Sequence, residues 1–280
     1  MKIRAPGLVL VLLLISASSN AYNDRLEFGT ISAGLAGADA ACPSAGSGLR
    51  LNPAFPFSKY SLSVGLHHSA IYNIPGLNSN LATIRFSKNR HSLGMEYSRL
   101  GKNDLYIEEN IRLGMGFPFK KFYFGILVDR LTIDISNFTN YGNYTSAGFS
   151  GGFYTGAFGV SGSLSGLKLG SKNIGNDEIH KLYLFGLYYK IKDYSAFYST
   201  FGSHSSGEWL SIGQSFFLGE LLTMQVGLKS EPVSPAFGMS VMKGSLTIGY
   251  SYLYHPNLGD THQAGLIINM NPRNANHASK

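Results

Sequence analysis

Residues 244–270 read GSLTIGYSYLYHPNLGDTHQAGLIINM, and their rhythm decides the fold. In the first half Leu246, Ile248, Tyr250, Tyr252 and Tyr254 alternate with Ser245, Thr247, Gly249 and Ser251. In the second half Ala264, Leu266, Ile268 and Met270 alternate with Gln263, Gly265 and Asn269, with Ile267 out of step. Successive side chains of an extended chain point to opposite faces, so each half is a strand with one apolar face and one small, polar face. HPNLGD, between them, is a turn built from Pro, Asn, Gly and Asp. The same two-strand unit recurs back to about residue 59. Such a pattern suits a sheet closed into a barrel, with lipid outside and a wet or packed lumen inside.

Working outward from this hairpin, we count fourteen strand candidates. They lie near 59–67, 79–87, 91–99, 105–117, 121–132, 150–160, 166–173, 181–190, 193–202, 207–218, 221–230, 235–242, 244–254 and 261–270. Faces are consistent in many of them. Phe122, Phe124, Ile126 and Val128 share one face, as do Leu222, Met224, Val226 and Leu228. The pattern is weakest in the sixth, seventh and ninth, where Gly and aromatics mix. Short turns at 88–90, 118–120, 192, 219 and 243 alternate roughly with longer links at 68–78, 133–149, 174–180 and 255–260. Bacterial outer-membrane barrels have an even strand count, short periplasmic turns and longer external loops. The fold expected is therefore all-β: a transmembrane antiparallel barrel of about 14 strands over 59–270, with both termini periplasmic. The link 133–149 is expected outside the cell.

Composition agrees. Of 280 residues only 14% are charged, while 13% are aromatic and 34 are Gly. A soluble α/β enzyme usually carries about a quarter charged residues. Residues 1–21 read as a cleavable signal peptide: Lys2 and Arg4, then Leu8 to Ile15, then Ser19-Asn20-Ala21. Its apolar run is too short to span a bilayer, and no later run reaches about twenty apolar residues. Removing Lys2 and Arg4 lowers the formal net charge from +7 to +5. No basic run interleaved with aromatics is present, which argues against nucleic acid as a partner. The one cysteine, Cys42, can form neither an internal disulfide nor a metal cage.

Residues 22–58 are rich in Ala, Gly and Ser, lack alternation and close on Leu51-Asn52-Pro53-Ala54-Phe55-Pro56. Small side chains let backbones approach, so this segment is expected to plug or underlie the lumen; a flexible linker is the alternative. Residues 271–280 form a tail. Arg85, Glu96, Glu108, Arg112 and Asp129 fall on lumen faces of the second to fifth strands. They read either as ordinary lumen salt bridges or as a polar track or latch for the 22–58 segment. Lys229 and Gln225 are also inward. His67 and His68 point to opposite faces and cannot chelate one ion together, while His255 and His262 flank a turn near aromatics. Trp209 and the many tyrosines read as interfacial anchors. No spacing singles out a catalytic triad, and Gly114-Met115-Gly116 is no nucleotide loop. Neither an enzyme nor a cofactor is expected.

The stretch AGLAGADAACPSAGSGLRLNPAF resembles the N-terminal region of FadL-like outer-membrane barrels, where an Ala/Gly-rich stretch leads into Asn-Pro-Ala. YTGAFGVSGSLSGLKLGSKNIGN and SLTIGYSYLYHPNLGDTHQAGLIINM resemble more closely the PorV/PorQ branch, with His-Pro, Leu-Gly and Thr-His in order. The resemblance implies a fourteen-stranded barrel with a plug-like N-terminal segment, and matches Asn52, Pro53 and Ala54 to the family's corner. On the PorV/PorQ side it implies a non-enzymatic partner in type IX protein secretion or cell-surface protein handling in Bacteroidota-type bacteria. On the FadL side it implies a channel for small hydrophobic molecules. An outer-membrane enzyme ranks last. The partners expected are outer-membrane lipid and either secretion-system proteins or hydrophobic small molecules.

Overall fold

The computed structural model describes residues 29–42, 48–54, 62–102, 106–136, 142–172, 181–205 and 207–270. The expected signal peptide, the ends of the 22–58 segment and the 271–280 tail lie outside the described residues. Fourteen strands form one closed sheet. They are β1 Leu62–Ala70, β2 Asn78–Lys88, β3 His91–Lys102, β4 Tyr106–Phe119, β5 Phe122–Ile135, β6 Gly142–Tyr154 and β7 Phe158–Lys172. The second half is β8 Leu182–Ile191, β9 Ser195–His204, β10 Gly207–Leu218, β11 Leu222–Lys229, β12 Ser234–Lys243, β13 Leu246–His255 and β14 Gly259–Met270. Every strand pairs antiparallel with its chain neighbours. Closure is made by β1 and β14, in register from Leu62 opposite Met270 to Ala70 opposite His262. Two short helices, α1 Thr30–Gly34 and α2 Gly48–Leu51, precede the sheet.

Strand parity sets the two faces of this wall. Leu246, Ile248 and Tyr250 are exposed on the outside, whereas Thr247 and Ser251 are buried. Phe122, Phe124, Ile126 and Val128 are exposed in the same way. A belt of exposed apolar side chains around a closed sheet is the surface a bilayer requires, since closure leaves no unpaired strand edge. Among the described residues no helix is long and apolar enough to cross a membrane. The turns at one end are short: 89–90, 120–121, 155–157, 192–194, 219–221 and 244–245. β1 starts and β14 ends at that same end.

The sixth and seventh strands differ from the sequence reading. The expected strand 150–160 straddles a hairpin whose turn is Thr155-Gly156-Ala157, with Gly156 at φ 89°. Glycines on both faces of GGFYTGAFG erase the contrast that marks a strand, so the sequence does not distinguish the turn glycine from strand interior. The expected external loop 133–149 is consequently mostly strand, since β5 runs to Ile135 and β6 begins at Gly142. The link at 255–260 shrinks to 256–258, and the one at 68–78 to 71–77.

Candidate functional site: the filled barrel interior

The described residues of the N-terminal segment lie against the inward faces of the sheet, and glycines make room for them. A Cβ built on Gly94 or Gly114 would overlap the Leu49 side chain. On Gly125 it would lie 2.5 Å from the Cα of Ala54 and 2.7 Å from the carbonyl carbon of Pro53. On Gly227 it would lie 2.7 Å from the Ala36 nitrogen, and on Gly238 3.0 Å from the Gly34 Cα. Several of these glycines face one another across strands: Gly94 and Gly114, Gly116 and Gly125, Gly213 and Gly227, Gly249 and Gly265. Ordinary carbon contacts lie near 3.5–4.0 Å. Only a residue without a Cβ lets another backbone approach so closely.

Inward hydroxyls and one imidazole then fix this segment. The Ala40 amide donates to Thr200 Oγ1 (3.2 Å), and Ser161 Oγ donates to the Ala40 carbonyl (3.0 Å). Ser163 Oγ donates to the Leu51 carbonyl (3.1 Å). The Thr30 amide donates to His67 Nδ1 (3.3 Å), supplying the acceptor that the residue before α1, Gly29, cannot. Asn52 is buried at the corner that the family resemblance singled out. Its Nδ2 donates to the Ala40 carbonyl (3.1 Å), and its Oδ1 accepts from the Ala54 amide (3.0 Å). The Ala54 amide also donates to Ser150 Oγ (3.0 Å). Buried backbone groups outside regular structure need such partners.

The interior has two chemically distinct walls. On β2 to β5 the five expected charges all face in. Arg112 lies between two carboxylates, with Nη1 2.5 Å from Glu96 Oε1 and Nε 3.6 Å from Asp129 Oδ1. Glu96, Arg112 and Asp129 occupy one cross-strand row. Glu108 accepts from the Tyr106 hydroxyl (2.8 Å). Arg85 is buried, and its opposite charges are Glu96 and Asp39. Asp39 belongs to the N-terminal segment and accepts from Ser32 Oγ, so its negative charge acts on the wall's Arg85 from the segment.

The facing wall is apolar and aromatic. Leu35, Ala38 and Ala41 pack with Tyr188, Ala196 and Tyr198, flanked by Tyr154 and Cys42. The ring centroids of Tyr154 and Tyr188 are 5.8 Å apart, and those of Tyr188 and Tyr198 5.3 Å. Where Ala41 and Asn52 meet Tyr123, Gly152, Tyr154 and Ser161 only a narrow crevice is left, without room for a water molecule.

Several residues sit elsewhere than the sequence suggested. Trp209 is no lipid-facing anchor: it points inward, against the space left by Gly202, with Lys229 Nζ 5.4 Å from its ring. The pairing parity of β9 and β10 fixes that direction. Tyr123, Tyr144, Tyr188 and Tyr198 are likewise buried. His255 and His262 take separate partners. His255 Nδ1 accepts from the Leu258 amide (3.1 Å), while His262 Nδ1 lies 2.7 Å from the Tyr250 hydroxyl. Asp39 and the glycine pairs were not singled out. The inward parity of Gly94, Gly114 and Gly125 was the available signal for the latter. Among the described residues no group of His, Cys, Asp and Glu is placed to hold a metal ion.

No family model matches the sequence, and no curated protein matches it. Solved structures do match the fold. The toluene transporter TbuX of Ralstonia pickettii aligns with a TM-score of 0.59 at 12% identity, over 87% of this chain and 98% of that one. The toluene transporter TodX of Pseudomonas putida aligns with a TM-score of 0.61 at 11% identity, over 86% of this chain and 96% of that one. The outer membrane protein Omp33 of Acinetobacter baumannii gives 0.50 at 7% identity, over 75% and 98%. At these identities the likeness is one of fold. The chain has the architecture of an outer-membrane β-barrel.

Proposed function

We propose that this protein is an outer-membrane channel for small hydrophobic molecules, with both termini in the periplasm and the N-terminal segment as its plug. The observation that carries the reading is the apolar wall inside the barrel. A pore for hydrophilic solutes keeps a wet, polar lumen. Here Leu35, Ala38 and Ala41 of the N-terminal segment pack against Tyr188, Ala196 and Tyr198. A ligand site for an apolar molecule is built from such surfaces with a few placed polar groups. The neighbours named as toluene transporters support the same class of substrate. The secretion-partner reading rests on the likeness of the closing hairpin to the PorV/PorQ branch, and transport takes precedence over it.

The test is uptake. The full chain, expressed in an outer membrane depleted of other channels, is expected to accelerate entry of labelled toluene but not of a labelled disaccharide. Equal acceleration of both, or of neither, overturns the reading. Co-purification of secretion-system components with no toluene uptake would restore the partner reading.

A further inference from the structure

The end of the barrel that carries the short turns is strongly basic. Among the described residues Lys88, Arg90, Lys120, Lys121, Lys190, Lys192 and Lys243 stand at or beside its turns, against Asp193 and Glu220. One of the two carboxylates is already used, since Asp193 pairs with Lys190 at 2.7 Å. The charge is densest where the β2–β3 and β4–β5 turns meet. Arg90 reaches across: Nη2 donates to the Lys120 carbonyl (2.8 Å) and to the Tyr123 hydroxyl (2.5 Å). Its guanidinium carbon lies 5.2 Å from the centre of the Tyr123 ring. This holds Lys88, Lys120 and Lys121 together as exposed side chains, with no carboxylate within ion-pair distance among the described residues.

Backbone geometry is a second, independent observation. Tight turns place residues in the left-handed region, where glycine or asparagine is favoured. Gly156, Gly219 and Gly244 fill that role in three of the short turns. In the other three the left-handed positions include Arg90 (φ 69°), Lys120 (φ 57°) and Lys192 (φ 54°). Cations stand where glycine would be less strained.

The surroundings identify the occupant. Directly beside this cluster the outer wall presents Phe86, Phe117, Phe119 and Phe122, all exposed. Lys120 Nζ lies 5.9 Å from the Phe119 ring centre. Aromatic rings with cations just beyond them mark the level where acyl chains give way to headgroups. We infer that the Lys88, Arg90, Lys120 and Lys121 cluster is a binding site for anionic phospholipid headgroups of the leaflet facing the periplasm. The leaflet follows from the orientation proposed above; the site itself does not depend on transport.

The test uses the purified full chain in neutral detergent, offered equal amounts of phosphatidylglycerol and phosphatidylcholine, with bound lipid counted by native mass spectrometry. Wild-type protein is expected to retain phosphatidylglycerol in preference, less so as salt is raised. The Lys88→Gln, Lys120→Gln, Lys121→Gln triple variant keeps Arg90 and should lose about fivefold of that preference per lysine. Lys229→Gln, at the far end and over Trp209, should keep it. Heat-modifiable mobility establishes that each variant is folded. Equal retention of the two lipids by wild type, or an unchanged preference in the triple variant, overturns the site. Salt-sensitive capture of soluble polyglutamate without any lipid preference also overturns it, in favour of an acidic macromolecule. The assay reads neither uptake nor orientation, so its failure is separate from failure of the channel reading.

Discussion

Adding one methyl group to the inner wall should displace the N-terminal segment. Gly125→Ala would place a carbon 2.5 Å from the Cα of Ala54 and 2.7 Å from the carbonyl carbon of Pro53. Gly227→Ala would place one 2.7 Å from the Ala36 nitrogen and 2.7 Å from the Leu35 carbonyl oxygen. Normal contacts lie near 3.5–4.0 Å, so about 1 Å of movement is required at each site. The colliding atoms are backbone and cannot rotate aside as a side-chain tip would. Overpacking of this kind costs about 1–3 kcal/mol per site. The sites lie on β5 and β11 and touch different parts of the segment, so their effects should add, giving roughly 2–6 kcal/mol for the pair. Denaturant unfolding in micelles measures the cost, and limited proteolysis of residues 29–54 measures release of the segment. Gly170→Ala, where no atom lies within 4 Å of the new carbon, is the control and should shift stability by less than about 0.5 kcal/mol. Wild-type stability and wild-type protease resistance in the double variant would refute the claim that these glycines seat the segment.

Three further outcomes follow from the two faces of the wall. Ile248→Lys puts a charge on an exposed outward position and should destabilise the barrel by about 2–4 kcal/mol if it lies near the bilayer midplane; normal levels of heat-modifiable barrel would contradict the assignment of faces. Arg112→Met leaves Glu96 facing an apolar side chain and should cost about 3–5 kcal/mol by denaturant unfolding, with much of the loss recovered when Glu96→Gln is added. Asn52→Ala removes one of the two acceptors of the Ala54 amide and one of the two donors to the Ala40 carbonyl, while Ser150 and Ser161 keep the others; about 0.5–1.5 kcal/mol should be lost, together with faster hydrogen exchange at Ala54.

Much of this architecture was legible because strand parity is strict. Once Leu246, Ile248 and Tyr250 are placed outside, Thr247 and Gly249 must be inside, and the same counting put all five charges of β2 to β5 in the lumen. The count failed where glycine occupies both faces, at the β6–β7 turn, because a residue without a side chain carries no sign of direction. Trp209 failed for a different reason. Its type is common at bilayer surfaces, but position within the strand overrides type, and the space that receives it belongs to Gly202 on the neighbouring strand. The influence of Asp39 on Arg85 was invisible because an irregular segment has no register against a sheet. The functional branch was harder to read than the fold, since a short hairpin likeness carries little information about what the interior accepts.

The small inward residues admit two explanations, and the structure separates them. In a water-filled pore, serine and glycine serve by leaving space for solvent. In this barrel they serve by leaving space for chain. Thr200, Ser161, Ser163 and Ser150 spend their hydroxyls on backbone groups of the N-terminal segment, and the paired glycines lie under atoms of that segment at distances no other residue permits. The pattern that marks these segments as strands therefore also records the shape of what fills the barrel. The bonds are not spread evenly. Residues 51–54 hold the Asn52 corner and bonds to β6 and β7, and Ala40 is bonded to Thr200 and Ser161, while 35–38 rest on glycine contacts and on the apolar cluster with Tyr188 and Tyr198. Apolar contact is non-directional and tolerates sliding, whereas a hydrogen bond weakens steeply when its angle changes. Residues 35–38 are thus where the filling can shift with the least loss, up to the bonds that hold Ala40.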